Sequence, residues 1–185
     1  MSMRLRIETP EQMAQLGERI AHQLRAGDLV ALDGELGAGK TTLTRGIGAA
    51  LGVRGAVTSP TFVLARTHPR EGGGPPLVHV DAYRLGSAAE LDDLDIDFEA
   101  SIVVVEWAAG MLDGVSDSVL GIRIDRPTGA GVLGSGSGEA GAGPAHRAGD
   151  LAAHMAELAE HLADAEPREV TITPFGPRWE RTPFA

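Results

Sequence analysis

The chain has 185 residues, which suits a single domain with a sizeable core, and 43% of them are hydrophobic, as is typical of a globular protein. Its formal net charge of -10 and its lack of any basic run argue against a free-standing nucleic-acid binder, which needs positive charge to displace counterions from phosphates. The lack of cysteine excludes disulfides and thiolate zinc sites. Because no apolar segment opens the chain or is long enough to cross a bilayer, we expect a cytoplasmic protein without a signal peptide or membrane contact.

Strands and helices are predicted to alternate along the chain. Thr9 can cap a helix, Pro10 suits its first position and Gln12 completes a capping box, and a similar pattern begins at Ser87. Short apolar runs such as residues 102–105 indicate strands buried on both faces. The predicted strands are residues 4–7, 29–32, 62–65, 77–80, 102–105, 119–124 and 170–173, and the predicted helices are 10–26, 41–51, 87–94 and 150–163.

This alternation predicts an α/β fold. Because the last strands lack helices at matching spacing, we expect a central mixed parallel and antiparallel sheet, flanked by helices, in one domain over residues 1–185. Residues 127–149 are rich in glycine, alanine and serine, and we interpret them as a flexible insertion in that domain.

The stretch GELGAGKTTL contains the only lysine of the chain. Gly34, Gly39, Lys40 and Thr41 match the phosphate-binding loop (P-loop) pattern G-x-x-x-x-G-K-[ST], between a predicted strand and a predicted helix. Glycines let backbone N–H groups approach phosphate oxygens, and a lysine fits such a cradle better than the planar fork of arginine, whereas an ordinary glycine-rich turn would not need the lysine. The predicted nucleotide-binding residues are Gly34, Glu35, Leu36, Gly37, Ala38, Gly39, Lys40, Thr41 and Thr42.

A P-loop enzyme also needs an acidic residue near Mg²⁺, usually at the end of a neighbouring buried strand. Asp81 follows the apolar run LVHV and Glu106 follows IVVV, so both are candidates, although either acid could instead cap a turn or pair with Arg84. Thr61 in Ser-Pro-Thr could reach a γ-phosphate as switch threonines do, but this tripeptide is also a common entry to a strand. These positions alone leave open which acid serves the metal.

The histidines carry weaker signals. His79, Asp81 and Tyr83 alternate, so in an extended chain they share one face, which could be the edge of an active site. A metal site built on His79 lacks a second ligand at diagnostic spacing. His154 and His161, seven residues apart on a predicted helix, are better explained as part of a solvated helix face.

Taken together, GELGAGKTT, SPTFVL, HVDAYRL and VEW resemble the bacterial TsaE (YjeE) family of small P-loop ATPases in tRNA threonylcarbamoyladenosine synthesis. The resemblance covers roughly residues 5–125, and other P-loop families do not combine SPT[FY] with HxDxYRL at these intervals. It implies a P-loop NTPase-like α/β domain with a partly antiparallel sheet. The insertion between Ile124 and Val170 and the GPRW ending depart from the family pattern and leave late partner surfaces undefined.

The resemblance also implies roles for individual residues. Lys40 would contact phosphate, Thr41 and Glu106 would ligate Mg²⁺, and Thr61 and Asp81 would serve hydrolysis or switching. The cofactors would be ATP and Mg²⁺. The catalytic group would therefore consist of Lys40, Thr61, Asp81 and Glu106.

The same resemblance implies that the chain acts with two protein partners. These are a threonylcarbamoyl transferase (TsaD-like) and its paralogous companion (TsaB-like), and ATP hydrolysis would support turnover of the complex. The acidic composition agrees with tRNA being reached only indirectly, through that complex.

Two other classes of protein carry a P-loop. A small-molecule kinase usually brings arginines over the phosphates from a lid, and no arginine-rich lid segment stands out here. A GTP-dependent switch would carry the base-reading pattern NKxD, which is absent from the sequence.

Overall fold

The computed structural model describes residues 2–108, 112, 114–126 and 166–184. The strands are β1 (Met3–Ile7), β2 (Leu29–Gly34), β3 (Ala65–His68), β4 (Leu77–Asp81), β5 (Ile102–Glu106), β6 (Val119–Asp125) and β7 (Arg168–Phe175). The helices are α1 (Pro10–Ala21), α2 (Lys40–Leu51) and α3 (Ala88–Asp92), with 3₁₀ turns at Ala82–Arg84 and Pro177–Trp179. The predicted insertion at 127–149 and the predicted helix at 150–163, with His154 and His161, lie outside the described residues.

Seven strands form one sheet in the order β1-β7-β6-β2-β5-β4-β3. The central strands β6, β2, β5 and β4 are parallel to one another, whereas β7 and β1 add to one side and β3 to the other through antiparallel pairing. The predicted mixed sheet is therefore confirmed. In such a sheet the carboxyl ends of the parallel strands meet at one edge. Glu106 accordingly lies in register with Leu32 on one side and with Asp81 on the other.

The core lies on both faces of this sheet. Helices α1 and α2 cover one face, where Leu16 and Leu43 are buried in the same cluster as Leu32 and Val104. The opposite face forms a second cluster that includes Leu91 of α3. Burial of each large aliphatic side chain stabilises the fold by about 1.5–3 kcal/mol. The packed sheet therefore fixes the carboxyl ends of β2, β4 and β5, from which the loops of the site begin.

The capping signals are confirmed, but α1 and α3 end earlier than predicted, whereas α2 ends at Leu51 as predicted. The Thr9 hydroxyl accepts a hydrogen bond from the Gln12 N–H at 3.2 Å, and Ser87 caps α3 in the same way. Helix α1 ends at Ala21 and α3 at Asp92. None of the helices within the described ranges is long and apolar enough to cross a membrane.

The predicted strand at residues 62–65 is wrong. The N–H groups of Val63 and Leu64 both donate to the Pro60 carbonyl, at 2.9 and 2.8 Å, so the chain turns here. Leu64 has φ 65°, in the left-handed region, and β3 begins only at Ala65. The apolar run misleads because it does not enter the core: Val63 is 55% exposed.

Candidate nucleotide site

Two glycines set the path of the loop between β2 and α2. Gly34 has φ 149°, and a Cβ atom there would lie 2.4 Å from the Ile124 carbonyl oxygen of β6. Gly39 has φ 109° and precedes α2 without a side-chain cap. The N-terminus of α2 thus presents amide groups that no side chain caps, which is the arrangement that suits a phosphate.

Lys40 is the first residue of α2, directly after this loop, and is 5% exposed. Its Nζ donates to the carbonyls of Gly34 and Glu35, at 2.8 and 3.1 Å, and sits 3.7 Å from the ring centroid of Trp107. Burial lowers the pKa of Lys40, while the charge of Glu106 acts in the opposite direction. The ammonium group thus donates to uncharged carbonyls and lies against a ring, while the charges of Glu106 and Asp81 act on it from nearby, and a phosphate would be a stronger direct partner.

Thr41 and Glu106, the predicted metal ligands, are in contact. The Thr41 hydroxyl donates to Glu106 Oε1 at 3.1 Å. Glu106 ends β5 and is only 4% exposed. His79, from the neighbouring strand β4, places Nε2 at 2.8 Å from the same Oε1. The sequence thus correctly predicted the position of Glu106 but not its contact with His79.

Asp81 and Thr61 form a second polar pair beside the first. The Thr61 hydroxyl donates to Asp81 Oδ2 at 2.6 Å, and the Tyr83 N–H donates to Oδ1 at 3.0 Å. Arg84 contacts this pair through the Thr61 carbonyl, to which it donates at 2.7 Å. Because Tyr83 lies in a 3₁₀ turn, the predicted alternation with His79 and Asp81 does not continue through it, and its ring packs against Trp107 at 5.4 Å.

The remaining residues of the predicted loop differ in exposure. Leu36 is 65% exposed, whereas Ala38 is 1% exposed. Thr42 lies in a cleft between the loop and the start of α1, beside Thr9 and Met13. This open cleft adjoins the loop.

Sequence reasoning missed two arginines that contact the loop although they lie far from it in the sequence. Arg126 donates to the Leu36 carbonyl at 3.1 Å, and the buried Arg168 donates to the Ala38 carbonyl at 3.2 Å. No local pattern could have indicated these contacts, since Arg168 and Ala38 are 130 residues apart. The two guanidinium groups bind the loop carbonyls from outside, and within the loop the Ala38 N–H donates to the Glu35 carbonyl at 3.1 Å.

Across the described ranges, no group of three or more histidine, aspartate or glutamate side chains is arranged to hold a metal ion. A metal here would therefore need other oxygen ligands beside Glu106. The Thr41 hydroxyl is the nearest candidate.

A family model described as "Threonylcarbamoyl adenosine biosynthesis protein TsaE" matches residues 7–131. The chain belongs to the TsaE family. TsaE proteins take part in the biosynthesis of threonylcarbamoyladenosine in tRNA. The matched range includes the P-loop and both strand-end acids of this TsaE chain.

Individual relatives agree with this assignment. The chain is similar to the TsaE protein of Streptomyces coelicolor, with 62% identity over 63% of this chain and 81% of the relative. It is also similar to the TsaE proteins of Mycobacterium tuberculosis (52% identity over 63% and 74%) and Bacillus subtilis (36% identity over 57% and 66%). A crystal structure of Bacillus subtilis YdiB superimposes with a TM-score of 0.62 and 26% identity, covering 97% of this chain and 90% of that one.

Proposed function

We propose that this TsaE chain is an Mg²⁺-dependent ATPase subunit of the complex that forms threonylcarbamoyladenosine in tRNA. ATP hydrolysis would support repeated turnover of the threonylcarbamoyl transferase. The observation that carries the proposal is the convergence of Lys40, Thr41, Asp81 and Glu106 at one edge of the sheet, directly behind a P-loop.

The residues present fit Mg²⁺ and ATP. A hydroxyl and a carboxylate are oxygen ligands of the kind that Mg²⁺ prefers, and this ion commonly keeps several waters beside one or two carboxylates and the substrate phosphates. Thr41 and Glu106, 3.1 Å apart, would hold it. When bound, Mg²⁺ would neutralise charge on the phosphate oxygens.

The protein groups would bind the phosphates, orient the attacking water and connect the site to the surface. Lys40 and the amide groups of residues 34–42 would bind the phosphates. The Asp81 carboxylate, held by the Tyr83 N–H, would orient the attacking water. The hydroxyl of Thr61, bonded to Asp81, would connect that carboxylate to the exposed turn at residues 61–64.

That turn supports the proposal of protein partners. Phe62 and Val63 are 61% and 55% exposed, and Tyr83 is 68% exposed, all beside the Thr61–Asp81 pair. Large apolar side chains exposed together at a site are typical of protein–protein contacts. We propose that the transferase and its paralogous companion bind here, so that the nucleotide state changes their affinity.

Reconstituted tRNA modification tests the proposal. The transferase, its companion, tRNA and ATP are combined with and without this chain, and threonylcarbamoyladenosine is counted per transferase. We expect repeated turnover only when the chain is present. Turnover that continues without it would overturn the proposed role.

Single substitutions separate the proposed steps. Lys40→Ala should weaken ATP binding, measured by calorimetry, because it removes the only lysine charge from the loop. Unchanged ATP binding by Lys40→Ala would contradict the assignment of the loop.

The two acidic residues should affect hydrolysis. Glu106→Ala should remove Mg²⁺-dependent hydrolysis, and Asp81→Ala should keep near-normal ATP binding with impaired turnover.

The same material distinguishes the rival classes. Rapid phosphorylation of a metabolite by the isolated chain would identify a kinase instead. Competitive titration of ATP against GTP would reveal a GTP-dependent switch, and we expect ATP to be preferred.

A further inference from the structure

One buried side chain at the site has no part in the roles assigned above. His79 is 0% exposed in the middle of β4. Its Nε2 lies 2.8 Å from Oε1 of Glu106, the carboxylate assigned to the metal under the proposed function. The contact joins the two central strands β4 and β5 just behind the edge of the sheet.

The surroundings of the ring indicate which nitrogen carries the proton. His79 Nδ1 is buried and has no hydrogen-bond partner within the described part of the chain. A carboxylate accepts hydrogen bonds, so the proton belongs on Nε2, where it can be donated to Glu106. A proton on Nδ1 would leave a buried donor unpaired and would place two acceptors against each other.

A histidine at this position needs a specific reason. Its neighbours on β4, Val78 and Val80, are apolar and buried, and an apolar side chain would fill the same space without desolvating two ring nitrogens. Within the described ranges of the chain, the hydrogen bond to Glu106 is the polar contact that offsets this cost. The ring therefore acts on the carboxylate, beyond merely filling the core.

The two donors leave one carboxylate oxygen available. Thr41 and His79 both donate to Oε1 of Glu106, and no hydrogen bond to Oε2 is present among the described residues. Two bonds to a single oxygen fix the rotation of the carboxylate group. The lone pairs of Oε2 are thus held in one orientation.

We propose that His79 is a positioning residue for the metal. Its Nε2–H fixes Glu106 so that the carboxylate binds Mg²⁺ without first having to be ordered. This inference rests on the proposed function, because it assumes that Glu106 ligates Mg²⁺. Outer partners of metal ligands commonly contribute about 10–100-fold to metal affinity.

The test measures how ATP hydrolysis by the reconstituted complex depends on Mg²⁺ concentration. His79→Phe removes the donor and keeps an aromatic ring, and we expect the half-saturating Mg²⁺ concentration to rise about 10-fold or more. ATP affinity measured in EDTA should stay within about twofold, since no metal is bound there. His79→Gln, whose amide can replace the Nε2 donor, should recover most of the loss.

His68→Phe is the matched control. His68 is also buried, on strand β3, and its Nε2 also has no partner within the described part of the chain, but it makes no hydrogen bond to Glu106. A general effect of replacing a buried histidine would change both variants alike. We expect the Mg²⁺ dependence of His68→Phe to match that of the unaltered protein.

The outcomes separate the two proposals. If the unaltered protein shows no Mg²⁺ dependence, the proposed function fails and the role of His79 fails with it. If it depends on Mg²⁺ and a folded His79→Phe variant shows the same dependence, only the role of His79 is overturned. Should His79→Phe not fold, ¹⁵N NMR of the unaltered protein decides: a proton on Nε2 that shifts in Glu106→Gln supports the inference, and a proton on Nδ1 overturns it.

Discussion

Trp107 shows how a single residue outside the P-loop can contribute to the candidate phosphate site. It follows Glu106, adopts φ 60°, and donates its backbone N–H to the Leu32 carbonyl at 2.8 Å. This left-handed conformation costs a bulky residue about 1–3 kcal/mol. In return the indole ring lies over Lys40 Nζ, where cation–π attraction offsets part of the cost of burying the ammonium group.

The intrinsic fluorescence of Trp107 should therefore report nucleotide binding. Phosphate is a stronger partner for an ammonium ion than an aromatic ring, so ATP should draw Lys40 away from the indole. We expect the tryptophan emission to change on titration with ATP and Mg²⁺. Of the two tryptophans, Trp179 is buried in the core away from the loop, so Trp107→Phe should abolish the change. Emission that is indifferent to saturating ATP would contradict this use of the ring.

At the scale of elements, the packing of α1 against α2 fixes the position of the helix that follows the P-loop. A Cβ atom on Gly17 would lie 2.5 Å from the Leu43 carbonyl oxygen, and one on Gly46 would lie 2.4 Å from the Ala14 carbonyl oxygen. The two backbones thus approach each other through paired glycines. This close contact fixes α2, whose N-terminus presents the loop, against the rest of the core.

Adding one methyl group at this crossing should destabilise the protein. Gly46→Ala forces the helices apart, and we expect the free energy of unfolding in urea to fall by about 1–3 kcal/mol. Gly72→Ala is the control, because a Cβ atom there meets nothing within 4 Å, and its effect should stay within about 0.5 kcal/mol. Equal effects of the two substitutions would show that the crossing tolerates a larger separation.

The elements also show what could be predicted from the sequence and why. The starts of α1 and α3 depend on caps three residues away, and the strand-end acids depend on the alternation of short apolar runs, so local reading found them. The turn at residues 60–64 closes through local bonds to the Pro60 carbonyl, but Thr61 within it donates to Asp81, 20 residues away, a contact that no local pattern indicates. The arginines that contact the P-loop likewise come from distant positions, Arg126 directly after β6 and Arg168 in β7, and no local pattern encodes the pairing of these strands.

At the scale of the whole molecule, residues 176–184 bind to the segment before β2, at the end of the sheet opposite the P-loop. Arg178 donates from Nε and Nη2 to the two carboxylate oxygens of Asp28, each at 2.8 Å, and from Nη2 to the Gln23 carbonyl at 2.6 Å. Trp179 is 1% exposed and packs against Phe184. The GPRW ending forms a 3₁₀ turn that joins the tail to the segment before β2.

Breaking this ion pair should lower global stability. Arg178→Ala leaves Asp28, which is 4% exposed, without its charged partner, and we expect a loss of about 3 kcal/mol in the free energy of unfolding. Arg123→Ala is the comparison, since its pair with Asp125 is largely exposed and should contribute less than about 1 kcal/mol. The losses are measured by urea denaturation. Similar losses in both variants would contradict a special contribution of the Arg178–Asp28 ion pair to stability.

The two ends of the sheet also allow the proposed partner surface to be tested with a matched pair of aromatic residues. Phe62, which is 61% exposed, lies beside the Thr61–Asp81 pair at the carboxyl edge, and Phe175, which is 69% exposed, pairs with Val119 at the amino edge of the parallel strands. Exposed aromatic anchors often contribute 2 kcal/mol or more to a protein interface, which corresponds to about a 30-fold change in Kd.

Phe62→Asp should therefore weaken binding to the transferase and its companion by about 30-fold or more, measured by calorimetry with ATP present. The ATP affinity of this variant should stay unchanged, because the Phe62 side chain is 61% exposed and has no part in the proposed nucleotide site. Phe175→Asp introduces the same charge at the far edge of the sheet and should bind the partners normally. Equal losses in the two variants would attribute the effect to charge alone, and full affinity in Phe62→Asp would place the partners on a different face of the molecule.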